Sequence, residues 1–270
     1  MPEAAVRLTR ACLVLRLAGP LQSWGAQSRH NRRDTATEPT KSGVVGLLAA
    51  ALGRERGADI ADLAALRVGV RTDEPGILLR DFHTVSDFRG RPLLAAAVNS
   101  RGAQKNSMVA GVPKHHHVTR RFYLQDAVFV VALGGSPRLL DTLWHAVRRP
   151  AYPLALGRRS CPPTLPLVLA APEGALWTGA PEAVLTRVPW QPCRYRRWTE
   201  EHPASTHQVL PVVVDDPLGT EIRGDLPVSF ASQGRRFEAR RVRRRLVVAP
   251  TLIKGAVAAA PPPDWFTLLD

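Results

Sequence analysis

Residues 12–52 read CLVLRLAGPLQSWGAQSRHNRRDTATEPTKSGVVGLLAAAL and set the architecture of the N-terminal half of the chain. The apolar run 12–17 predicts a buried strand, and a long polar, basic loop follows it. Thr40 is a competent N-cap for a helix with a wide apolar face, and Gly53 is expected to end that helix. A strand and a helix joined by a basic loop are therefore expected in this region.

The chain up to about residue 170 continues this pattern of strands and helices. Further strands are predicted at 66–72, 77–85, 121–133 and 166–170, and a second helix is predicted to begin at Ser136–Pro137. The order strand–helix–strand–strand–helix–strand is that of the split βαβ, ferredoxin-like fold, which RNA-recognition modules also use. Because many unrelated functions share this order, it predicts a fold class and not a function.

The composition changes at about residue 171, where proline becomes frequent and the segments read as short strands without convincing helices. We therefore predict an α+β protein with a ferredoxin-like domain over 1–170 and a smaller β-rich domain over 171–270. Within the first domain, residues 86–118 are polar, contain glycine and lack apolar periodicity. They are interpreted as a protruding loop or β-hairpin.

The charge of the chain points to a polyanionic partner. Lys and Arg total 37 against 23 Asp and Glu, which gives a net charge of +14, and the isoelectric point is about 11.1. Only four of the basic residues are lysines, and the rest are arginines, which bind phosphate through two parallel hydrogen bonds and stack on bases. A GC-rich genome would explain the excess of Arg over Lys but not the net charge, so we predict a nucleic-acid partner.

The composition also excludes several classes of protein. Apolar residues make up 45% and charged residues 22%, as in an average globular protein with a sizeable core. The longest strongly apolar run, 44–52, is far shorter than a membrane helix, so we expect a cytoplasmic protein without a membrane partner. Cys12, Cys161 and Cys193 are widely separated, which argues against a disulfide framework or a zinc site. No metal or cofactor is expected.

The sequence EPTKSG at 38–43 resembles the Gly-Lys-Ser of a phosphate-binding loop, but Thr40 precedes the lysine and the required first glycine is missing. A nucleoside triphosphatase is therefore not predicted. Lys41 and Ser42 nevertheless stand at a predicted helix start, where free backbone N–H groups attract an anion. An ordinary helix start is the structural alternative.

Two further clusters leave alternatives open. His115, His116 and His117 are consecutive, so on a strand they point to opposite faces and cannot converge on one metal ion. We interpret them as solvated or RNA-contacting side chains. The arginine-rich run 235–245 fits either a solvated face or a surface that follows phosphates or binds an acidic partner.

Five blocks of the sequence form a recognisable series. They are LRLAGPLQSWG at 15–25, PTKSGVVGLL at 39–48 with Arg32 and Thr35 before it, DFHTV at 81–85, RFYLQDA at 121–127 and LGRRSCPP at 156–163. Together and in this order they resemble the CasD family, the fifth CRISPR-associated protein of the type I-E Cascade complex. The resemblance implies a repeat-associated RNA-binding (RAMP) fold, with a ferredoxin-like domain, a β-hairpin thumb at about 86–118 and a smaller β-rich C-terminal part.

The resemblance also implies a function. Members of this family cap one end of the Cascade surveillance complex and hold the 5′ handle of the CRISPR RNA. They contact the backbone subunit of CasC type and the large subunit of CasA type, and they meet target DNA through the assembled complex. Because a separate subunit cuts the precursor RNA in this subtype, the resemblance implies a non-catalytic binder. The alternatives are a metal-independent endoribonuclease, as in a related subtype, and a basic scaffold for other proteins.

Holding a single-stranded handle requires phosphate contacts from basic side chains and helix N-termini, with the bases splayed onto side chains. In a ferredoxin-like fold the loop after the first strand and the loop before the last strand can approach the same face. The predicted RNA-binding residues are Trp24, Arg29, Arg32, Arg33, Lys41, Ser42, Arg158 and Arg159, with Lys105, Lys114, His115 and His117 in the thumb. The alternative enzyme would have to use His115, His117 and Tyr123, none of which has an obvious orienting partner.

Overall fold

The structure, a computed structural model, describes residues 11–25, 32–85, 117–192 and 207–251. The strands are β1 (Ala11–Ala18), β2 (Leu21–Gln22), β3 (Trp24–Gly25), β4 (Arg32–Arg33), β5 (Thr35–Ala36), β6 (Arg67–Glu74), β7 (Ile77–Val85), β8 (His117–Gln125), β9 (Val128–Gly134), β10 (Trp177–Thr178), β11 (His207–Asp215), β12 (Glu221–Ser229) and β13 (Arg236–Pro250). The helices are α1 (Lys41–Ala51), α2 (Ala61–Ala64), α3 (Pro137–Arg148) and α4 (Pro181–Leu185).

A seven-stranded antiparallel sheet forms the centre of the protein. Its strand order is β10-β1-β9-β6-β11-β13-β12. An isolated bridge joins Leu15 of β1 to Val168 on the edge of β1 that also contacts β10. The segment at Val168, β1, β9 and β6 therefore lie side by side in that order.

The two faces of this sheet bury two separate apolar cores, because side chains alternate along each strand. On one face, Leu13 and Leu15 of β1 pack with the apolar sides of α1 and α3. On the other face, Cys12 and Val14 join Val184 of α4. β1 and β9 are thus covered on both sides, which explains why their sequences are almost continuously apolar.

A smaller sheet is built around β8. β7 pairs with β8 along its whole length in an antiparallel hairpin. On the other edge of β8, β2 pairs antiparallel and β4 pairs parallel, with Arg32 opposite Arg120 and Arg33 opposite Arg121. This sheet brings the basic loop after β1 against the hairpin.

The local signals predicted both long helices correctly. The Thr40 hydroxyl oxygen accepts a hydrogen bond from the Gly43 N–H at 3.2 Å, and the Ser136 hydroxyl oxygen accepts one from the Leu139 N–H at 3.3 Å. Gly53 follows α1 with φ +73°, a left-handed conformation that suits glycine. The predicted start and end of α1 and the start of α3 are therefore confirmed.

Three sequence predictions about strands are wrong. The apolar run 121–133 is not one strand, because Asp126 turns the chain with φ 55° between β8 in the small sheet and β9 in the central sheet. The strand expected at 166–170 is reduced to the bridge at Val168. Beyond residue 171 we expected short strands without helices, but the chain forms the long strands β11–β13 and the short helix α4. The strands are long because β13 pairs with a strand on each edge.

The C-terminal strands extend the central sheet, since β11 pairs with β6. The division into domains at residue 170 stays a prediction. The predicted thumb, residues 86–118, lies outside the described residues except for the start of β8. Within the described ranges, no helix is long and apolar enough to cross a membrane.

Candidate nucleic-acid interface

The N-terminus of α1 faces carboxylates of the protein itself, where the sequence predicted a phosphate. The Lys41 backbone N–H donates to Asp225 Oδ2 at 2.8 Å. The Lys41 ammonium donates to Asp215 Oδ2 at 2.9 Å, and its side chain is only 7% exposed. Ser42 is half-buried, with its hydroxyl 3.3 Å from that of Thr40. The predicted phosphate contact of Lys41 is corrected accordingly, because internal carboxylates already supply the negative charge, whereas that of Ser42 stays a prediction.

Arg240 joins the two carboxylates into a buried ion-pair network. Its Nε and Nη2 donate to Asp225 at 2.6 and 3.0 Å, and its Nη1 donates to Asp215. Burial opposes the ionisation of Asp225, but hydrogen bonds from Arg240 and from the Lys41 backbone outweigh burial and lower the pKa of Asp225 below its ordinary value. The N-terminus of α1 therefore donates a hydrogen bond to a carboxylate that is ionised at neutral pH.

Trp24 is a core residue and does not offer a surface for base stacking. Its side chain is fully buried, and its indole N–H donates to Gln22 Oε1 at 3.1 Å. The ring packs so closely on α1 that a Cβ at Gly43 would lie 2.7 Å from it. The predicted RNA contact of Trp24 is corrected, because this aromatic ring closes the core between the first loop and α1.

The arginine-rich run belongs largely to the fold. Five of its members on β13 contact acidic side chains or a carbonyl of the same chain: Arg240 with Asp215 and Asp225, Arg241 with the Gly219 carbonyl, Arg243 with Asp216, Arg244 with Glu38 and Arg245 with Glu182. The sequence left open a solvated face or a surface that binds phosphates or an acidic partner. The structure shows a third arrangement, in which these five arginines contact groups of the chain itself.

The small sheet carries arginine and phenylalanine side chains in two neighbouring rows. In one row, Phe82 stands opposite Arg120, which stands opposite Arg32. In the next row, Arg80 stands opposite Phe122. Cross-strand partners and residues two apart on a strand project to the same side of a sheet. These five side chains therefore share one surface, which we call the hairpin face.

The hairpin face is open and basic. Its three arginines are exposed, and Phe82 is 63% exposed. The Arg32 guanidinium lies 5.1 Å from the centre of the Phe122 ring, and its Nε donates to Asp34 Oδ1 at 2.8 Å. The other two arginines of the face form no ion pair with a carboxylate in the described part of the chain. Exposed guanidinium groups beside phenyl rings can bind phosphates and stack with bases.

The loop 156–161 is held against the loop that follows β1. Gly157 has φ +90°, and a Cβ at this position would lie 1.8 Å from the Ser23 carbonyl oxygen. The Ser23 N–H donates to the Leu156 carbonyl at 3.0 Å. Only glycine meets both the left-handed conformation and the close approach. The two loops that the sequence predicted to approach each other therefore do so.

Arg158 lies at this junction, and its neighbour Arg159 is exposed. The Nη2 of Arg158 donates to the Arg33 carbonyl at 2.7 Å, and its Nη1 donates to the Phe122 carbonyl at 3.1 Å. Its guanidinium lies 4.8 Å from the centre of the Tyr123 ring. The structure thus brings the predicted residues of β4 and of the 156–161 loop to the edge of the hairpin face.

A sequence model of the family described as CRISPR-associated protein (Cas_Cas5) matches residues 12–243. The chain belongs to this family. It is 36% identical over 240 residues to the protein named CRISPR system Cascade subunit CasD of Escherichia coli (strain K12), and the match covers 83% of this chain and 94% of that protein.

Solved structures agree with the family assignment. A chain of a structure titled CRISPR RNA-guided surveillance complex matches with a TM-score of 0.68 and 32% identity, covering 96% of this chain and 97% of that one. A structure titled Crystal structure of Cas protein matches with a TM-score of 0.62 and 35% identity, covering 89% of this chain and 98% of that one. The mixed, strand-rich fold is therefore that of this CRISPR-associated family.

The remaining predicted residues are either buried or lie outside the described part of the structure. Tyr123 is 5% exposed and packs in the apolar core, so it does not face a bound RNA. His117 begins β8, and its side chain is outside the described part of the structure. The remaining predicted residues outside the described ranges are Arg29, Lys105, Lys114 and His115.

Four residues of the hairpin face were missed by the sequence reasoning: Arg80, Phe82, Arg120 and Phe122. A signal for them exists, because Arg-x-Phe occurs both at 80–82 and at 120–122. Two-residue spacing on a strand places Arg and Phe on one face. What the sequence did not show is that the two segments pair with each other in a register that merges the motifs.

Proposed function

We propose that this chain is a non-catalytic subunit of a CRISPR surveillance complex of the Cascade type and that it holds the 5′ handle of the CRISPR RNA. Similarity to the Cascade subunit CasD over nearly the whole length of that protein supports the assignment to the complex. The observation that carries RNA binding is the hairpin face, where Phe82, Arg120 and Arg32 form one row beside Arg80 and Phe122.

The chemistry of the hairpin face suits a single strand of RNA. Arg80 and Arg120 present guanidinium groups that can each donate two parallel hydrogen bonds to a phosphate. The exposed ring of Phe82 is next to both arginines, opposite Arg120 and two residues from Arg80. An unstacked base can stack on this ring whatever its identity. Binding of this kind needs no proton transfer, which agrees with a subunit that holds the guide and does not cut it.

The strand order supports the finer fold proposal, a ferredoxin-like, RAMP-type core over 1–170 followed by a β-rich part over 171–270. Val168, β1, β9 and β6 are adjacent in that order, and α1 and α3 cover the same face of the sheet. β13 pairs with β11 on one edge and β12 on the other, and β11 joins β6 through three residue pairs. This arrangement fits a core with an appended antiparallel unit.

The proposed partners follow from membership of the complex. They are the CRISPR RNA 5′ handle, the backbone subunit of CasC type and the large subunit of CasA type, with target DNA reached through the assembled complex. The relative's name identifies it as a Cascade subunit, which supports assembly with such proteins.

The RNA-binding proposal is tested by titrating a fluorescein-labelled handle RNA with the purified protein at several salt concentrations. Arg120→Ala should weaken binding by about tenfold, because a charge-assisted hydrogen bond contributes roughly 1.5–3 kcal/mol. The slope of log affinity against log salt should fall by about 0.7 for the lost phosphate contact. Phe82→Ala should weaken binding without changing that slope, because stacking releases no counterions.

A matched control exists on β13, where Arg236 is exposed and Phe237 is also accessible at 37%. Arg236→Ala and Phe237→Ala remove the same chemical groups from the central sheet, whereas the hairpin face belongs to the small sheet. They should leave affinity and salt slope unchanged. Two results would contradict the proposed face. One is an equal loss of affinity in the hairpin-face and β13 variants, and the other is wild-type affinity in both Arg120→Ala and Phe82→Ala.

A further inference from the structure

We infer that Arg158 is a positioning residue, which holds strand β4 against β8 so that Arg32 meets the RNA, and that its own guanidinium does not bind the RNA. This inference rests on the proposed function, because it assigns a role within the same RNA-binding surface. Sequence reasoning alone placed Arg158 among the direct phosphate contacts. The hydrogen bonds of its side chain point to a different role.

The guanidinium of Arg158 links two strands. Its Nη2 donates to the carbonyl of Arg33 in β4 at 2.7 Å and reaches the carbonyl of Asp34 at 3.4 Å. Its Nη1 donates to the carbonyl of Phe122 in β8 at 3.1 Å. One planar group therefore fixes the spacing between the backbones of both strands, and the Tyr123 ring supports it from one side.

Strand β4 depends on this link because it is very short. It contains only two residues, which pair with β8 at Arg120 and Arg121. A two-residue pairing supplies few backbone hydrogen bonds to oppose the entropy of ordering those residues. Arg32 is the β4 side chain that lies on the hairpin face, the surface that we propose for RNA. Its placement is therefore expected to respond to the loss of the Arg158 contacts.

The loop that carries Arg158 is itself rigidly placed. Gly157 packs against the Ser23 carbonyl, and the Cys161 N–H donates to the Arg158 carbonyl at 2.9 Å. Arg158 is partly buried, whereas Arg159 next to it is exposed. Both terminal nitrogens of Arg158 donate to backbone carbonyls, so its guanidinium is already bound within the protein. Arg159 is the arginine of this loop that faces solvent.

Substitution by lysine separates positioning from phosphate binding. Arg158→Lys keeps the positive charge, and so would preserve a simple phosphate contact, but an ammonium cannot reproduce a planar fork across two strands. We expect Arg158→Lys to weaken binding of the labelled handle RNA by about fivefold or more, close to the effect of Arg158→Ala. The matched variant Arg187→Lys alters a guanidinium that also donates to a backbone carbonyl, that of Thr178, but lies outside the small sheet, and it should bind like the wild type.

The decisive measurement repeats the substitution in an Arg32→Ala/Arg33→Ala background. If Arg158 acts through β4, Arg158→Lys should change the affinity of this variant by less than about twofold, because the β4 side chains that Arg158 positions are already absent. In an Arg80→Ala background, where the missing side chain belongs to β7, the full loss should persist. A general loss of stability would lower binding in every background. That case is identified by measuring the melting temperature of each variant and by titrating it stoichiometrically with RNA to find the fraction of active protein.

Two results would overturn the inference. Wild-type affinity of Arg158→Lys would mean that charge alone is required, as for a phosphate ligand. An equal loss in the wild-type and Arg32→Ala/Arg33→Ala backgrounds would mean that Arg158 acts independently of β4. Arg120→Ala in the same assay tests the proposed function itself. If Arg120→Ala weakens binding and the Arg158 series behaves in either of these ways, only the positioning role fails.

Discussion

The buried carboxylate of Asp225 on β12 should contribute strongly to the stability of the fold. It accepts hydrogen bonds from the Lys41 backbone N–H at 2.8 Å and from Arg240 at 2.6 and 3.0 Å. The Asp225 and Arg240 side chains are 12% and 9% exposed. Asp225→Asn keeps the size of the side chain but removes its charge, which leaves Lys41 and Arg240 to share the carboxylate of Asp215.

The expected cost follows from this burial. Removing one partner of a buried ion pair costs about 3–5 kcal/mol, mainly because the other charge stays buried without compensation. The neighbouring pair between Asp216 and Arg243 provides the control, since its side chains are 22% and 36% exposed. A more exposed pair contributes about 0–1 kcal/mol, so Asp216→Asn should change the free energy of unfolding little.

Urea denaturation of both variants at pH 7 measures these free energies, and a pH series adds an independent check. The folded state lowers the pKa of Asp225, so the stabilisation by its charge is fully present above the ordinary carboxyl pKa of about 3.9 and is lost as pH falls through the lower, folded value. The gap between wild type and Asp225→Asn should therefore narrow below about pH 4. A loss under about 1 kcal/mol at pH 7, or the same loss in Asp216→Asn, would refute the reasoning.

Three further predictions concern the loop, the thiols and catalysis. Gly157→Ala should lower the melting temperature and weaken RNA binding, because its Cβ would lie 1.8 Å from a backbone carbonyl oxygen; a variant as stable as wild type would argue against that packing. Burial raises the pKa of Cys12 to about 12, so in a Cys161→Ser/Cys193→Ser protein this thiol should not react with a thiol reagent at pH 8 until urea is added, and rapid labelling of the native protein would contradict its burial. The purified protein should leave repeat RNA intact in a gel assay, and cleavage that disappears in a His115→Ala/His117→Ala variant would assign it to the endoribonuclease class instead.

The parts of the site that could be predicted depend on local chemistry. Thr40 and Ser136 reveal the helix starts because a cap acts within one turn of its own helix. The approach of the two basic loops could also be anticipated, because it follows from the order of strands and helices. Trp24 could not be placed, since an aromatic residue in a polar loop looks exposed until α1 is known to cover it.

Local patterns and composition were enough to predict the strongly apolar strands, the two long helices, the basic character and the family resemblance, because each depends on residues close together in the chain or on overall residue counts. The tertiary structure decided which charges are available to RNA. Lys41 and Asp215 are 174 positions apart, and their contact turns a predicted phosphate ligand into a buried ion pair. The pairing of β7 with β8 likewise merges two Arg-x-Phe motifs into one face. Ion pairs and strand register join distant segments, so they are settled only when the chain has folded.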